Sequence, residues 1–501
     1  MTATAEQAAG MTDQAAVDAS TRRLTLALWA GAIVYAVLLV LGNSLLIDPD
    51  IHWQVTLGQW MVDHRTVPFT DTFSLTMQGQ PWRSSQWLSL IAYGQAYAWW
   101  GWAGPVILAS LATATAFALL AWFLLRRLGE LPVLFLLMAA LLIAYPHLFA
   151  RPHVLALPVM VAWTGVLLSA AERCQSPPLL LVALMALWVN IHGSFVFGLL
   201  LIGPIALDAL VNAQPAARLR LALRWMAFGV AALVACCVTP YGWHSFFIAR
   251  DILNLGEVLK LLLEWKPANF GSPGALEIGT LAAFALVLFA GVKLPLVRMV
   301  LFVGLLYMAL AHVRNMEIFA TLAPMVVAMP LAAQFHLRPD DPGRRLPRLH
   351  RFAAPAAIVF MLAMSAGAIA YRPYVTSVHT TPAAAVAVLK EHKAARVLND
   401  YDLGGYLISQ GITPYIDGRA ELYGEAFVMQ HSRARALWDP GDFFELLDKH
   451  KIDATLLRRK TPGAKLLDHV SGWRKVYFDD LVVVHVREPG ARPTAEPEIQ
   501  K

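Results

Sequence analysis

Residues 103–125 read A-G-P-V-I-L-A-S-L-A-T-A-T-A-F-A-L-L-A-W-F-L-L and run straight into Arg126-Arg127. An α-helix rises about 1.5 Å per residue and a bilayer core is about 30 Å thick, so this uncharged run is long enough to cross. The arginine pair then stops it at a polar boundary. The pattern recurs at 24–47, 131–149, 152–171, 178–191, 194–212, 219–238, 276–292, 295–311, 316–334 and 351–371, which makes about eleven crossings. With 58% hydrophobic and 15% charged residues over 501 positions and a mean hydropathy of +0.54, the chain is read as a polytopic α-helical membrane protein.

The net charge of +6, from 40 basic and 34 acidic residues, sits between apolar segments rather than in one stripe. It therefore reads as a topology signal and not as a nucleic-acid surface. Cys174, Cys236 and Cys237 give neither a disulfide framework nor metal-ligand spacing. Residues 1–23 are polar, and no small-residue cleavage site follows the run 24–46, so the first span is expected to stay uncleaved. Residues 85–102 are Trp- and Tyr-rich, broken by Gly94 and Gln95, and fit either a span or an interfacial helix. Counting 85–125 as one net crossing puts Arg22/Arg23, Arg126/Arg127, Glu172/Arg173, Arg218 to Arg224, Lys293/Arg298 and Arg344 to Arg351 on one, cytoplasmic, side.

That count sends six short polar clusters to the other face. They are 48–53, 151–153, 190–193, 239–242, 264–267 and 312–315. Ionisable groups at span ends are costly, so their collection on one side points to a shared polar cavity. The expected division is a cytoplasmic tail 1–23, a membrane domain 24–371 with a first outer loop 48–84, an extracytoplasmic α/β domain 372–490 and a disordered tail 491–501. In the α/β domain, β-like runs at 395–398, 414–416, 454–457, 475–478 and 481–486 alternate with helical stretches such as 442–450.

Within the first outer loop, Asp48 and Asp50 flank Pro49, and Trp53, Leu57, Trp60 and Met61 follow at helical spacing, as for a helix on the membrane surface. A partly desolvated carboxylate there can deprotonate a hydroxyl or hold a cation, or it can simply end the span and cap the next helix. Arg151, Arg314 and Lys266 are candidate phosphate-binding cations, with His153, His192 and His312 as hydrogen-bond donors; the alternative is snorkelling cations and satisfied helix-end histidines. Trp87, Trp99, Trp100 and Trp102 fit an interfacial aromatic belt or sugar stacking. In the α/β domain, Asp402, Asp417, Arg419 and Tyr423 belong to a dense polar set suited to turns or to acceptor binding.

Seven segments carry a family resemblance: D-P-D-I-H-W-Q-V-T-L-G-Q-W (48–60), V-P-F-T-D-T-F-S (67–74), G-Q-P-W-R-S-S-Q-W-L (79–88), W-V-N-I-H-G-S-F (188–195), A-H-V-R-N-M-E-I-F-A (311–320), N-D-Y-D-L-G-G-Y-L (399–407) and Y-I-D-G-R-A-E-L-Y-G (415–424). Together they resemble a bacterial subgroup related to the GT-C glycosyltransferases, the superfamily of protein O-mannosyltransferases, lipid A aminoarabinose transferases and the catalytic subunit of oligosaccharyltransferase. The resemblance covers about 24–487. It implies a polyprenyl-phosphate sugar as donor, inverting transfer to a lipid, glycan or protein acceptor at the outer leaflet of a bacterial inner membrane, and a first-loop acid as base. That role falls on Asp50 or Asp48, with Asp50 preferred because it stands three residues before Trp53. Use of a divalent cation is left open. A non-catalytic GT-C-like scaffold and a flippase of lipid-linked sugars are the competing readings.

Overall fold

In a computed structural model, residues 2–337 and 352–488 are described. The basic cluster 344–351 and the tail 491–501 therefore lie outside the described residues. The chain divides into two compact units. The first comprises Met1–Gly42, Val106–Gly242 and Leu262–Arg372; the second comprises Asn43–Pro105, Trp243–Leu261 and Pro373–Lys501. One division falls at Arg372/Pro373, and the first loop falls in the second unit with the α/β domain.

The first unit is helical. Its long apolar helices are Ala19–Val40, Ala103–Leu125, Glu130–His147, Pro152–Glu172, Phe195–Asn212, Val313–Gln334 and Ala353–Tyr371, seven in all among the described residues. Shorter apolar helices run Leu179–Ile191, Ala275–Ala290 and Leu296–Ala311. The expected span 219–238 appears as helix Pro215–Ala235, whose first half carries Arg218, Arg220 and Arg224. Helices begin where the sequence favours it: Pro152 and Pro215 stand in first turns, where a missing N–H costs nothing. Pro158, Pro204 and Pro324 sit inside helices, a placement that packed membrane helices accommodate.

Arg127 donates to Glu172 at 3.1 Å, Arg298 to Asp208 at 2.8 Å, and Arg298 lies 3.8 Å from Glu172. These groups gather where Pro152–Glu172 ends, while Arg151 precedes that helix's first residue. The helix has 21 residues, hence a length of about 31 Å at 1.5 Å each. Arg127, Glu172, Arg298 and Asp208 thus lie at one end of this helix and Arg151 at the other.

In the second unit a four-stranded sheet has the order β1-β2-β4-β3, with β1 Val397–Asn399, β2 Ala454–Arg458, β3 Trp473–Phe478 and β4 Val482–Arg487. β1 pairs parallel with β2; β4 pairs antiparallel with β2 and β3. Pro414 forms an isolated bridge to Val397, so the 414–416 run is a bridge rather than a strand. Proline has no N–H to continue a ladder. The expected 442–450 helix is Pro440–Lys449, opened by Asp439, whose carboxylate accepts the Gly441 N–H at 2.8 Å.

Helix Ile51–His64 does not display its apolar face as a surface helix would. Trp53, Leu57 and Met61 are buried with Trp82, Leu90 and Ile408 in one core, each side chain contributing about 1.5–3 kcal/mol by burial. The helix crosses Trp87–Trp100 closely at Gly58, where a Cβ would stand 1.9 Å from the Leu90 carbonyl oxygen. Trp87–Trp100 has 14 residues, about 21 Å of helix, too short for a crossing, and it packs within this unit. Trp99 and Trp100 are exposed, as in an interfacial belt.

Candidate functional site

The D-P-D turn at 48–50 assigns its two acids different tasks. Asp48 Oδ1 accepts the Asp50 N–H at 2.9 Å, an Asx-type turn that holds the chain for helix entry. Asp50 occupies the N-cap position of Ile51–His64, yet its carboxylate makes no capping bond. Instead Asp50 Oδ1 accepts the Trp53 indole N–H at 3.0 Å. Gly418 lies directly against it: a Cβ there would sit 1.9 Å from Asp50 Oδ1 and 3.2 Å from Trp53 Nε1. Only a residue without a side chain allows this approach.

Tyr401 and Glu421 share this neighbourhood. Burial first, then the charges of Asp50, Glu421, Asp417 and Asp402, push the Tyr401 phenol well above its ordinary range. Burial also raises the Glu421 carboxyl, which accepts the Trp82 indole N–H at 3.1 Å. Asp402 is exposed, 3.8 Å from Arg458.

The other expected acceptor residues are buried. Arg419 donates to Asp71 Oδ1 and Asp417 Oδ2, each at 2.6 Å, and Tyr423 donates to Asp417 at 2.7 Å. Asp417 is 0%, Arg419 1% and Tyr423 5% exposed. Burial alone would raise the Asp71 carboxyl; Arg419 and the Ser74 bonds outweigh it and hold it below the usual carboxylate range. Side chains this enclosed fasten the first loop to the α/β domain and offer no surface to an acceptor.

In the first unit, Glu264 is a hub. Arg151 donates to its Oε2 at 2.8 Å and Arg314 to its Oε1 at 3.1 Å. Burial would raise the Glu264 carboxyl, but the two guanidinium groups pull it down to about 2. Arg314 also lies over the Trp265 ring at 4.3 Å, and His312 Nδ1 is 2.8 Å from the Trp265 carbonyl oxygen. The Val313 N–H donates to the Lys266 carbonyl at 3.0 Å, while the Lys266 side chain is exposed. The His153 ring meets His192 edge-on at 6.2 Å between ring centroids and lies tilted against His147 at 5.0 Å. Asn190 donates to the Val238 carbonyl at 2.8 Å, bringing 190–193 beside 239–242.

The structure thus joins the five polar clusters that lie in the first unit and puts Asp48 and Asp50 in the second. Sequence reasoning missed the role of Glu264 as the partner of both arginines, although it stands in a quoted cluster. It also missed Asp71, Glu317 and His147, each embedded in an apolar or turn-like stretch with no spacing signal.

Fold and side chains together define a polytopic helical membrane protein with a small α/β domain and polar clusters at its helix ends. No known family's sequence profile matches the chain, and no curated protein matches it. Among solved structures it is similar to the oligosaccharyltransferase of Archaeoglobus fulgidus in the apo form, with TM-score 0.48, 11% identity and coverage of 95% of this chain and 76% of that one. It is likewise similar to the archaeal oligosaccharyltransferase AglB from Archaeoglobus fulgidus in complex with an inhibitory peptide and a dolichol-phosphate, with TM-score 0.49, 11% identity and coverage of 95% and 75%.

Proposed function

We propose that this chain is an inverting membrane glycosyltransferase that moves a sugar from a polyprenyl-phosphate donor to a lipid, glycan or protein acceptor at the outer face of a bacterial inner membrane. The observation that carries the reading is the pairing of Arg151 and Arg314 on one carboxylate, Glu264, at the end of a helical membrane unit. Two guanidinium groups converge on this one acid, and guanidinium geometry matches the oxygens of a lipid-linked phosphate.

In this reaction the Asp50 carboxylate takes the proton of the acceptor hydroxyl or amide. The acceptor atom forms its bond to the anomeric carbon as the bond from that carbon to the phosphate oxygen breaks. The electron pair leaves with the polyprenyl phosphate, whose added charge Arg151 and Arg314 stabilise. Asp50 suits the part better than Asp48, because Asp48 is engaged by the turn and Asp50 is oriented by Trp53. Asp402 is the exposed acid left for acceptor contact. Lys266, His192 and His312 border the arginine pair as further polar contacts.

Purified full-length protein, supplied with a polyprenyl-phosphate sugar and a membrane extract as acceptor, should release polyprenyl phosphate. Asp50→Asn should lower the rate by about 10²–10⁴, the range of a positioned general base. A wild-type protein with no turnover on any donor would instead favour the scaffold reading.

A further inference from the structure

Where three helix ends of the first unit meet, His147, His153 and Glu317 each present one ligand atom, all within 4.8 Å of one another. His147 closes the turn Tyr145–His147 after helix Glu130–Ala144, His153 stands in the first turn of Pro152–Glu172, and Glu317 in the first turn of Met316–Gln334. The 316–334 helix packs against both others, so the trio is held by helix packing rather than by a loose loop.

The hydrogen bonding does not account for these groups. His147 is 8% and Glu317 3% exposed, yet among the described residues neither ring nitrogen of His147 nor Glu317 Oε2 has a hydrogen-bond partner. His147 Nδ1 lies 3.0 Å from Glu317 Oε2 without the angles of a hydrogen bond. Buried polar atoms are normally satisfied, and a ring whose nitrogens make no hydrogen bond of good geometry, with Nδ1 facing only a carboxylate oxygen, is a marked exception. His153 Nε2 sits 3.1 Å from the His147 carbonyl oxygen; with Nε2 donating, the ring is fixed in the tautomer that keeps a lone pair on Nδ1. A metal-ligating histidine is commonly oriented in this way.

We infer that His147, His153 and Glu317 form a binding site for a divalent first-row transition metal, with zinc the best match. Two imidazoles and one carboxylate select zinc, manganese or cobalt over magnesium and calcium, which prefer oxygen. Ligand atoms of a tetrahedral zinc site stand roughly 3.4 Å apart for bonds of about 2.1 Å, so small side-chain rotations close the trio on an ion. Three protein ligands leave a position open for water or for an oxygen of a bound anion beside Arg151. The competing assignment is a metal-free buried His147–Glu317 ion pair.

The inference is tested without any sugar donor, so it stands or falls separately from the transferase reading. Full-length protein in detergent is stripped with a chelator, exposed to Zn²⁺ or Co²⁺, desalted and analysed for metal content, and the Co²⁺ form is examined for visible d–d absorption. The wild type should retain about one ion per chain and show tetrahedral Co²⁺ bands, and Zn²⁺ should raise its melting temperature. Glu317→Gln and His153→Asn should each weaken binding at least tenfold and remove the Co²⁺ bands. His153→Asn leaves the His147–Glu317 pair intact, so it remains informative if Glu317→Gln fails to fold. Equal retention of metal by wild type and His153→Asn, or none by the wild type, would overturn the site in favour of the ion pair.

Discussion

Arg419 in the second unit and the Arg151–Arg314 pair in the first show the same chemistry with opposite stoichiometry. Arg419 is one cation between two carboxylates, Asp71 and Asp417, and both partners of its ion pairs are at most 1% exposed. Around Glu264 the count is reversed, two cations on one carboxylate, with side chains 21–26% exposed. In the first case the charges are satisfied internally and the group is structural. In the second the two guanidinium groups stay partly exposed, within reach of an anion, which is what a phosphate-binding site requires.

The contrast breaks most visibly at Arg419. Arg419→Met leaves Asp71 and Asp417 buried without their cation, and removing one partner of such a pair costs about 3–5 kcal/mol. The second unit should melt well below the wild type, as read by thermal unfolding in detergent. Arg151→Gln and Arg314→Gln should instead leave melting nearly unchanged and lower sugar transfer by about 10²–10³, the usual effect of removing a group that stabilises transition-state charge. If either glutamine variant destabilised the chain as much as Arg419→Met, the arginine pair would be structural too.

A smaller effect is expected at Gly418. Gly418→Ala puts a methyl group against Asp50 Oδ1 and the Trp53 indole, so it should displace the carboxylate and cut transfer while the α/β domain stays folded. A fully active alanine variant would show that the position of Asp50 does not matter.

Acid stability sharpens the picture of the second unit. Burial lowers the His431 and His52 imidazoles to about 4, against about 6.5 when unfolded. Between those values the unfolded chain binds more protons than the folded one, so stability falls as pH drops from about 6.5 to about 4. Each ring can account for about 3 kcal/mol, because one pKa unit is worth about 1.4 kcal/mol. Melting temperature should decline across that window, and His431→Gln should flatten part of the decline. A melting temperature independent of pH over this range would contradict the buried neutral assignment. The smallest change is expected for Asp48→Asn, whose amide oxygen can still accept the Asp50 N–H; stability should shift by less than about 1 kcal/mol and transfer by a few-fold.

Much of the fold is legible in the sequence because membrane helices and short strands announce themselves through unbroken apolar runs. The spans read at 103–125, 152–171 and 194–212 and the strands around 397, 455, 475 and 484 follow from hydropathy. What periodicity does not reveal is the partner of an amphipathic face. The stripe of Trp53, Leu57 and Met61 fits lipid and a protein core equally well, and only Trp82, Leu90 and Ile408, distant in sequence, show that it faces a core. Asp417, Arg419 and Tyr423 were opaque for the same reason: residue type signals a polar set, and Asp71, more than three hundred positions away, determines that it is enclosed. His147 is a single ionisable residue at the end of an apolar run, and Glu317, although inside the quoted segment 311–320, has no spacing that points to His147 or His153.

The most direct measurement is binding of a polyprenyl phosphate to the full-length protein, compared with the Arg151→Gln/Arg314→Gln double variant at matched folding. A phosphate-receiving role for the two arginines predicts tight, salt-sensitive binding by the wild type and a loss of at least tenfold in the variant. Equal affinity in the two proteins, or binding that ignores salt, would show that these arginines do not receive a lipid phosphate.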